Sequence, residues 1–276
     1  MNLLHAIIFG TVQGLTEFLP VSSSGHLVLF QHFFGIQEPE LFFDICLHAG
    51  TLAAIVLVFF QEIWSILKTL ARLPALSREA GGFKPLFQQN ESVRISVLIL
   101  SGTIPTGILG VLFHEIADRL FSNVPLVGGM LLITGTLLWI TRKFQASGRP
   151  LQKVGLKDSL IIGFVQGLAI LPGISRSGAT ISTALMLGID REVAGRFSFL
   201  LSIPAIVGAT VMGFESGLLE KSGASAAALT GGTLSAAIIG YLALKILLRI
   251  IKHGKFFTFS PYCWAVGGLT LVFSWL

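Results

Sequence analysis

The sequence predicts an all-α polytopic membrane protein with six transmembrane helices and two re-entrant helical hairpins, arranged as an inverted-topology repeat. Three observations predict it. Charged residues make up only 12% of the 276, against roughly a quarter in a soluble domain, and the mean hydropathy is +0.82. Two apolar stretches are each interrupted by proline, glycine and serine, and they match one another at a constant offset of 153 residues. Lysine and arginine gather in alternate loops.

The elements follow in order. The first interrupted stretch, at about 2–34, breaks near Pro20, and neither half reaches the ~20 apolar residues a crossing helix needs. It therefore reads as a re-entrant hairpin, whose non-helical turn survives at membrane depth only inside protein or against a wet cavity. Full spans are expected at about 41–61, 93–113 and 124–142. A second hairpin at about 158–189 and spans at about 196–214, 224–248 and 257–276 complete one membrane domain. The two repeats cover about 1–142 and 156–276.

Positive charge supports this layout. Loop 62–92 holds Lys68, Arg72, Arg78 and Lys84; loop 142–157 holds Arg142, Lys143, Arg149, Lys153 and Lys157; loop 249–255 holds Arg249, Lys252 and Lys255. The alternate loops contribute only Arg119 and Lys221. With the basic loops in the cytoplasm, both termini lie outside and the hairpins dip in from opposite sides. Three spans separate the copies, and an odd number inverts the second relative to the first. In such folds broken helices meet near the midplane and form the site there.

Several classes are excluded. The net charge of +5 does not argue for a nucleic-acid partner, because the basic residues fall in loops between spans. Cys46 and Cys263 sit in apolar sequence and read as packing residues. Met1-Asn2-Leu3-Leu4-His5 lacks the basic start of a cleavable signal peptide. Trp139, Trp264 and Trp275 suit interfacial belts. Arg94, Glu115, Asp118 and Arg119 read as solvated or interfacial, and the scattered histidines His5, His32, His114 and His253 give no zinc-type cluster.

The chemistry concentrates in the repeated segment. Its first copy is Gln13-Gly14-Leu15-Thr16-Glu17-Phe18-Leu19-Pro20-Val21-Ser22-Ser23-Ser24-Gly25, followed by His26. Its second is Gln166-Gly167-Leu168-Ala169-Ile170-Leu171-Pro172-Gly173-Ile174-Ser175-Arg176-Ser177-Gly178. In each, proline ends one helix, and a serine (Ser22, Ser23 or Ser24 in the first, Ser175 in the second) caps the next. Two helix N-termini are then presented, each a ready anion site. Gln13 and Glu17 share a helix face at i, i+4, and a carboxylate at membrane depth is a functional candidate. Arg176, set between Ser175 and Ser177, can clamp phosphate or lock the hairpins by pairing with Glu17. His26 is a candidate acid or base, and Ser23 a candidate nucleophile. Gln13, Ser22, Ser24, Gly25, Gly173, Ser175, Ser177 and Gly178 would bind the anion. Asp44 and His48 could support this site or pair to brace the hairpin.

These motifs resemble the bacitracin-resistance family of undecaprenyl-diphosphate phosphatases. Gln13 to Glu17 matches its [E/Q]xxxE element, Leu19 to His26 its LPVSSSGH, and Pro172 to Gly178 its PGxSRSG. Similarity extends through Phe43-Asp44, Leu47-His48-Ala49-Gly50-Thr51 and Phe197-Ser198-Phe199-Leu200-Leu201-Ser202-Ile203-Pro204. Gln13 stands where the family can carry a second glutamate, which places the carboxylate role on Glu17 alone. The resemblance implies hydrolysis of undecaprenyl diphosphate to the monophosphate, recycling the carrier lipid for peptidoglycan, with bacitracin resistance as a consequence. It also implies a multi-pass protein of the bacterial inner membrane, a site facing the periplasm, and a divalent cation, Mg2+ or Ca2+, on Glu17.

In the expected mechanism Arg176, the cation and the helix termini neutralise the diphosphate. Ser23 attacks or positions water, His26 handles the proton, and Glu17 binds the metal or orients His26. A transporter or flippase for lipid phosphate is the rival reading, since inverted hairpins also build transporters. The phosphatidic acid phosphatase pattern fails: only five residues separate Lys143 from Arg149-Pro150, and Ser24-Gly25-His26 comes too early. Glycine pairs such as Gly231-Gly232 and Gly267-Gly268 could pack within the chain or at a homodimer interface.

Overall fold

The computed structural model describes residues 2–33, 41–114, 116–144, 148–215 and 225–274. Among them all the regular structure is helical, with one isolated bridge between Arg149 and Ile189. The first hairpin is α1 (Leu3–Phe18) and α2 (Ser23–Phe33). The helix α3 (Leu41–Val58) bends by 81° into α4 (Phe60–Ala71). Short helices α5 (Leu73–Glu79) and α6 (Phe83–Gln89) lead to α7 (Glu91–His114), α8 (Ala117–Phe121) and α9 (Val124–Ile140). The second broken pair is α10 (Leu156–Leu168) and α11 (Arg176–Met186). The chain continues through α12 (Arg191–Glu215), α13 (Ala226–Lys252) and α14 (Ser260–Phe273).

Among the described residues five segments are long and apolar enough to cross a membrane, and the bent α3–α4 pair makes a sixth if taken as one span. The protein is therefore a helical multi-pass membrane protein. Its outward surface agrees: Leu100, Ile104, Ile108, Val111 and Leu112 of α7 are exposed, as are Leu234, Ile238, Leu242 and Ile246 of α13. Side chains of this kind at i, i+4 spacing suit a lipid solvent.

Each broken pair packs against long helices. α1 lies along α13, α10 along α7, and α9 along α14. The α10–α7 crossing is glycine on glycine, and a Cβ at Gly163 would overlap the carbonyl oxygen of Gly102. A Cβ at Gly10 would likewise meet the carbonyl of Gly232 on α13. Small residues are what let membrane helices approach this closely. Phe18, at the end of α1, meets Phe199 of α12 edge-on with centroids 5.9 Å apart, anchoring the first turn in the main core.

The structure corrects three expectations. The span expected at 41–61 ends at Val58, and the sharp bend at Phe59 turns the chain into α4. Phe60, Trp64, Leu67 and Leu70 share an exposed face of α4, with Lys68 Nζ 5.1 Å from the Trp64 ring, the pattern of an interfacial helix. Loop 62–92 is thus largely helical. Arg94 is buried: its guanidinium donates to the Val154 carbonyl at 2.9 Å and lies 4.4 Å from the Phe87 ring. Those partners satisfy the charge that had suggested solvent. Arg119 is exposed as expected, while Glu115, Lys221, Trp275 and the Asp118 side chain lie outside the described residues. Trp139 and Trp264 pack together at 5.5 Å, with the Arg142 guanidinium 4.3 Å from the Trp139 ring.

Candidate active site

Both breaks form by the same local chemistry. In the first, α1 stops at Leu19, which precedes Pro20, and Ser22 takes a left-handed conformation at φ 69°. Ser22 Oγ then accepts the Gly25 N–H at 3.2 Å, capping α2. In the second, Gly173 makes the left-handed residue at φ 97°, and Ser175 Oγ accepts the Gly178 N–H at 3.1 Å to cap α11. The capping serines are Ser22 and Ser175, which occupy the same position of the repeated segment.

The two turns touch. Gly173 N–H donates to Ser22 Oγ at 3.1 Å, so one hydroxyl joins both breaks. Ser177 Oγ donates to the Phe18 carbonyl at 2.9 Å. Ser24 lies 3.3 Å from Ser22, and Ser177 lies 3.2 Å from Ser175, hydroxyl to hydroxyl. A Cβ on Gly25 would stand 3.1 Å from the Gly173 Cα, so the turns approach closely here. Thr134 of α9 supports the second turn, donating to the Gly173 carbonyl at 2.8 Å and accepting the Ser175 N–H at 3.1 Å.

Glu17 is the hub. It is only 6% exposed, and one carboxylate oxygen accepts from the Arg176 guanidinium across the two turns. Its other oxygen accepts Ser23 Oγ–H at 2.6 Å and Gln13 Nε2–H at 3.0 Å. His48 Nε2 of α3 lies 3.7 Å from that same oxygen. A buried carboxylate is tolerated only when paired and hydrogen-bonded in this way. The expected Glu17–Arg176 lock is present, and Gln13, Glu17, Ser23 and Arg176 form one cluster between two helix N-termini.

Ser23 therefore faces a different proton acceptor from the one expected. Its hydroxyl is on Glu17, while both ring nitrogens of His26 are engaged elsewhere: Nδ1 at 2.8 Å from the Ser22 carbonyl and Nε2 at 2.7 Å from the Tyr262 hydroxyl of α14. The i, i+4 pair Asp44 and His48 also differs from expectation. His48 Nδ1 donates to the Asp44 backbone carbonyl at 2.7 Å, and the Asp44 carboxylate accepts from Gln31 at 3.3 Å. His48 thus supports the site directly. Thr134 and Tyr262 escaped sequence reasoning, although a lone hydroxyl on an apolar helix was a weak signal for each.

A family model described as bacitracin resistance protein BacA matches residues 6–269. The chain belongs to that family. Among its relatives, one named undecaprenyl-diphosphatase from Desulfatibacillum aliphaticivorans is 52% identical, over 99% of both chains. Proteins of the same name from Desulforapulum autotrophicum and Methanosphaera stadtmanae are 47% and 42% identical, with at least 98% of each chain covered. Family membership spans both turns and every member of the Glu17 cluster.

The cluster also bears on cation binding. Magnesium commonly keeps water and phosphate ligands beside one or two protein carboxylates. Glu17 supplies a carboxylate, and Gln13 Oε1 is a buried acceptor with no partner. Among the described residues no three His, Cys, Asp or Glu side chains gather as a cage. These oxygen donors fit a cation that arrives with ligands of its own, not one enclosed by protein.

Proposed function

We propose that this chain is an integral-membrane phosphatase that hydrolyses undecaprenyl diphosphate to undecaprenyl phosphate and phosphate. Recycling that carrier would feed peptidoglycan synthesis, and lowering the diphosphate form would confer bacitracin resistance. The observation that carries the reading is the Ser23–Glu17–Arg176 cluster, set where two capped helix N-termini meet.

The geometry suggests the order of events. Arg176 neutralises Glu17. A diphosphate carries more negative charge than one carboxylate and draws the guanidinium away, helped by the positive ends of α2 and α11. Glu17, released from its cation, is then able to take the Ser23 proton from 2.6 Å. Ser23 Oγ attacks the terminal phosphorus, or orients a water that does so. The bond to the bridging oxygen breaks, and undecaprenyl phosphate leaves with the electron pair. If phosphoserine forms, water hydrolyses it and the proton on Glu17 is lost with the phosphate. Such transfer depends mainly on positioning and charge stabilisation. In the alternative role Glu17 with Gln13 Oε1 would hold a divalent cation, Mg2+ or Ca2+, which would supply further charge neutralisation in place of the base, since a metal-bound carboxylate is a poor proton acceptor. Ser24, Gly25, Ser177 and Gly178 shape the anion seat around these groups.

We read α1–α2 and α10–α11 as re-entrant hairpins of an inverted repeat, with repeats at about 1–142 and 156–276. Exchanged packing supports this: α1 of the first repeat lies on α13 of the second, while α10 of the second lies on α7 of the first. By family resemblance we assign the protein to the bacterial inner membrane with the site opening toward the periplasm, and the positive-inside count supports both termini lying outside. Gly232 and Gly267 pack within the chain, against the carbonyls of Ala6 and Gly128, so a homodimer would use other faces.

Phosphate release by purified protein from a polyprenyl diphosphate, wild type against Glu17→Ala, with and without chelator, tests the reading. Release that requires Glu17 and stops with chelator is expected. No release by wild type would hand the fold to a lipid-phosphate transporter.

A further inference from the structure

We infer that Tyr262 and His26 form a positioning relay that holds the first turn, which makes Tyr262 a further positioning residue for the reaction. The inference rests on the phosphatase reading for its kinetic consequence and on the hydrogen bonds alone for its geometry.

Ser22 is the one non-glycine residue with positive φ among the described residues. Such a conformation persists only when the surroundings over-determine it. Here its hydroxyl accepts two N–H groups, from Gly25 and Gly173. Its carbonyl accepts two more protons, from the His26 N–H at 3.1 Å and from His26 Nδ1 at 2.8 Å. A carbonyl oxygen can only accept, so Nδ1 carries a proton. In the neutral imidazole Nε2 is then an acceptor, and the Tyr262 hydroxyl, 2.7 Å away, is the donor. The two rings lie within 7° of parallel. The next residue of α14, Cys263, donates its Sγ–H to the Pro20 carbonyl at 3.5 Å.

Two consecutive residues of α14 therefore grip the first turn on both sides of Ser22. The consequence reaches Ser23, the residue that follows the held φ and whose hydroxyl meets Glu17. Tyr262 fixes which nitrogen of His26 is protonated, His26 fixes the Ser22 carbonyl, and Ser22 aims Ser23. His26 needs no change of protonation in this role.

The test uses full-length protein purified in detergent or nanodiscs. Tyr262→Phe keeps the ring and removes the donor. It should lower kcat about tenfold with KM for the lipid diphosphate unchanged. His26→Asn retains an N–H donor for the Ser22 carbonyl but cannot carry a proton. It should keep more than about a hundredth of wild-type kcat, and adding Tyr262→Phe to it should cost nothing further. Nitrogen-15 histidine NMR, with the His26 signals assigned by their loss in His26→Asn, should show Nδ1 protonated and Nε2 bare, and only Nε2 should shift in Tyr262→Phe.

A His26→Asn protein that melts like wild type yet loses more than about a hundredfold overturns the relay in favour of a proton carrier. A Tyr262→Phe protein with wild-type kcat and an unmoved Nε2 signal overturns it too, as does a wild-type spectrum with both nitrogens protonated. If wild type releases no phosphate, the phosphatase reading fails, while the nitrogen signals still decide the relay.

Discussion

Ser23 and Arg176 occupy the same position of one repeated turn, the first residue of α2 and the first of α11. Each follows a capping serine, and each reaches the same carboxylate from its own side. The duplicated backbone thus presents a hydroxyl from one copy and a guanidinium from the other to Glu17. Arg176→Ala should lower kcat about 10³-fold, by analogy with other phosphoryl-transfer arginines. Arg176→Lys keeps the charge but loses the planar fork, and should recover only part of that loss. Glu17→Gln should do more than remove a base. It leaves the guanidinium half-buried without its counter-ion, a change that costs about 3–5 kcal/mol in buried pairs. A lowered melting temperature in detergent, absent in Ser23→Ala, would separate that structural loss from the chemical one. Rapid quench of wild type, followed by a search for phosphate on Ser23, distinguishes a serine nucleophile from an oriented water. Glu17 and Arg176 were legible in the sequence because ionised groups within apolar stretches have few reasons to be there. Tyr262 and Thr134 were not, because their hydroxyls reach the turns from helices distant in the chain.

At the scale of elements, glycine decides how near the broken helices come to their neighbours. Gly163→Ala would drive a methyl into the Gly102 carbonyl and push α10 off α7, with Arg176 carried just past the break of the same pair. Overpacking of this sort costs typically ~1–3 kcal/mol. Gly107→Ala, in the same α7 but with nothing within 4 Å of its added methyl, is the control and should be neutral or gain up to about 1 kcal/mol of helix propensity. Melting temperatures of the two variants in detergent check the contrast, and equal values would remove the close-approach argument. The two breaks were legible because proline and serine dictate where a helix ends and restarts. The bend at Phe59 was not. Apolar sequence continues through it into α4, and a change of direction leaves no trace in hydropathy when the surface helix is itself apolar on one face.

At the scale of the molecule, the two broken pairs meet at their turns, and the proposed opposite insertion would bring both helix N-termini there from the two sides of the membrane. The arrangement of charge makes this testable without any assay of activity. Arg78, Lys153 and Lys255 are exposed residues of the basic loops, and Asn123 and Ser225 are exposed on the alternate ones. In a background with Cys46 and Cys263 replaced by serine, single cysteines at these positions should divide into two classes toward a membrane-impermeant maleimide. Asn123→Cys and Ser225→Cys should label in intact spheroplasts. Arg78→Cys, Lys153→Cys and Lys255→Cys should label only after the membrane is opened. Labelling of Asn123→Cys and Arg78→Cys from the same side would break the alternation, and with it the proposed inversion of the two repeats.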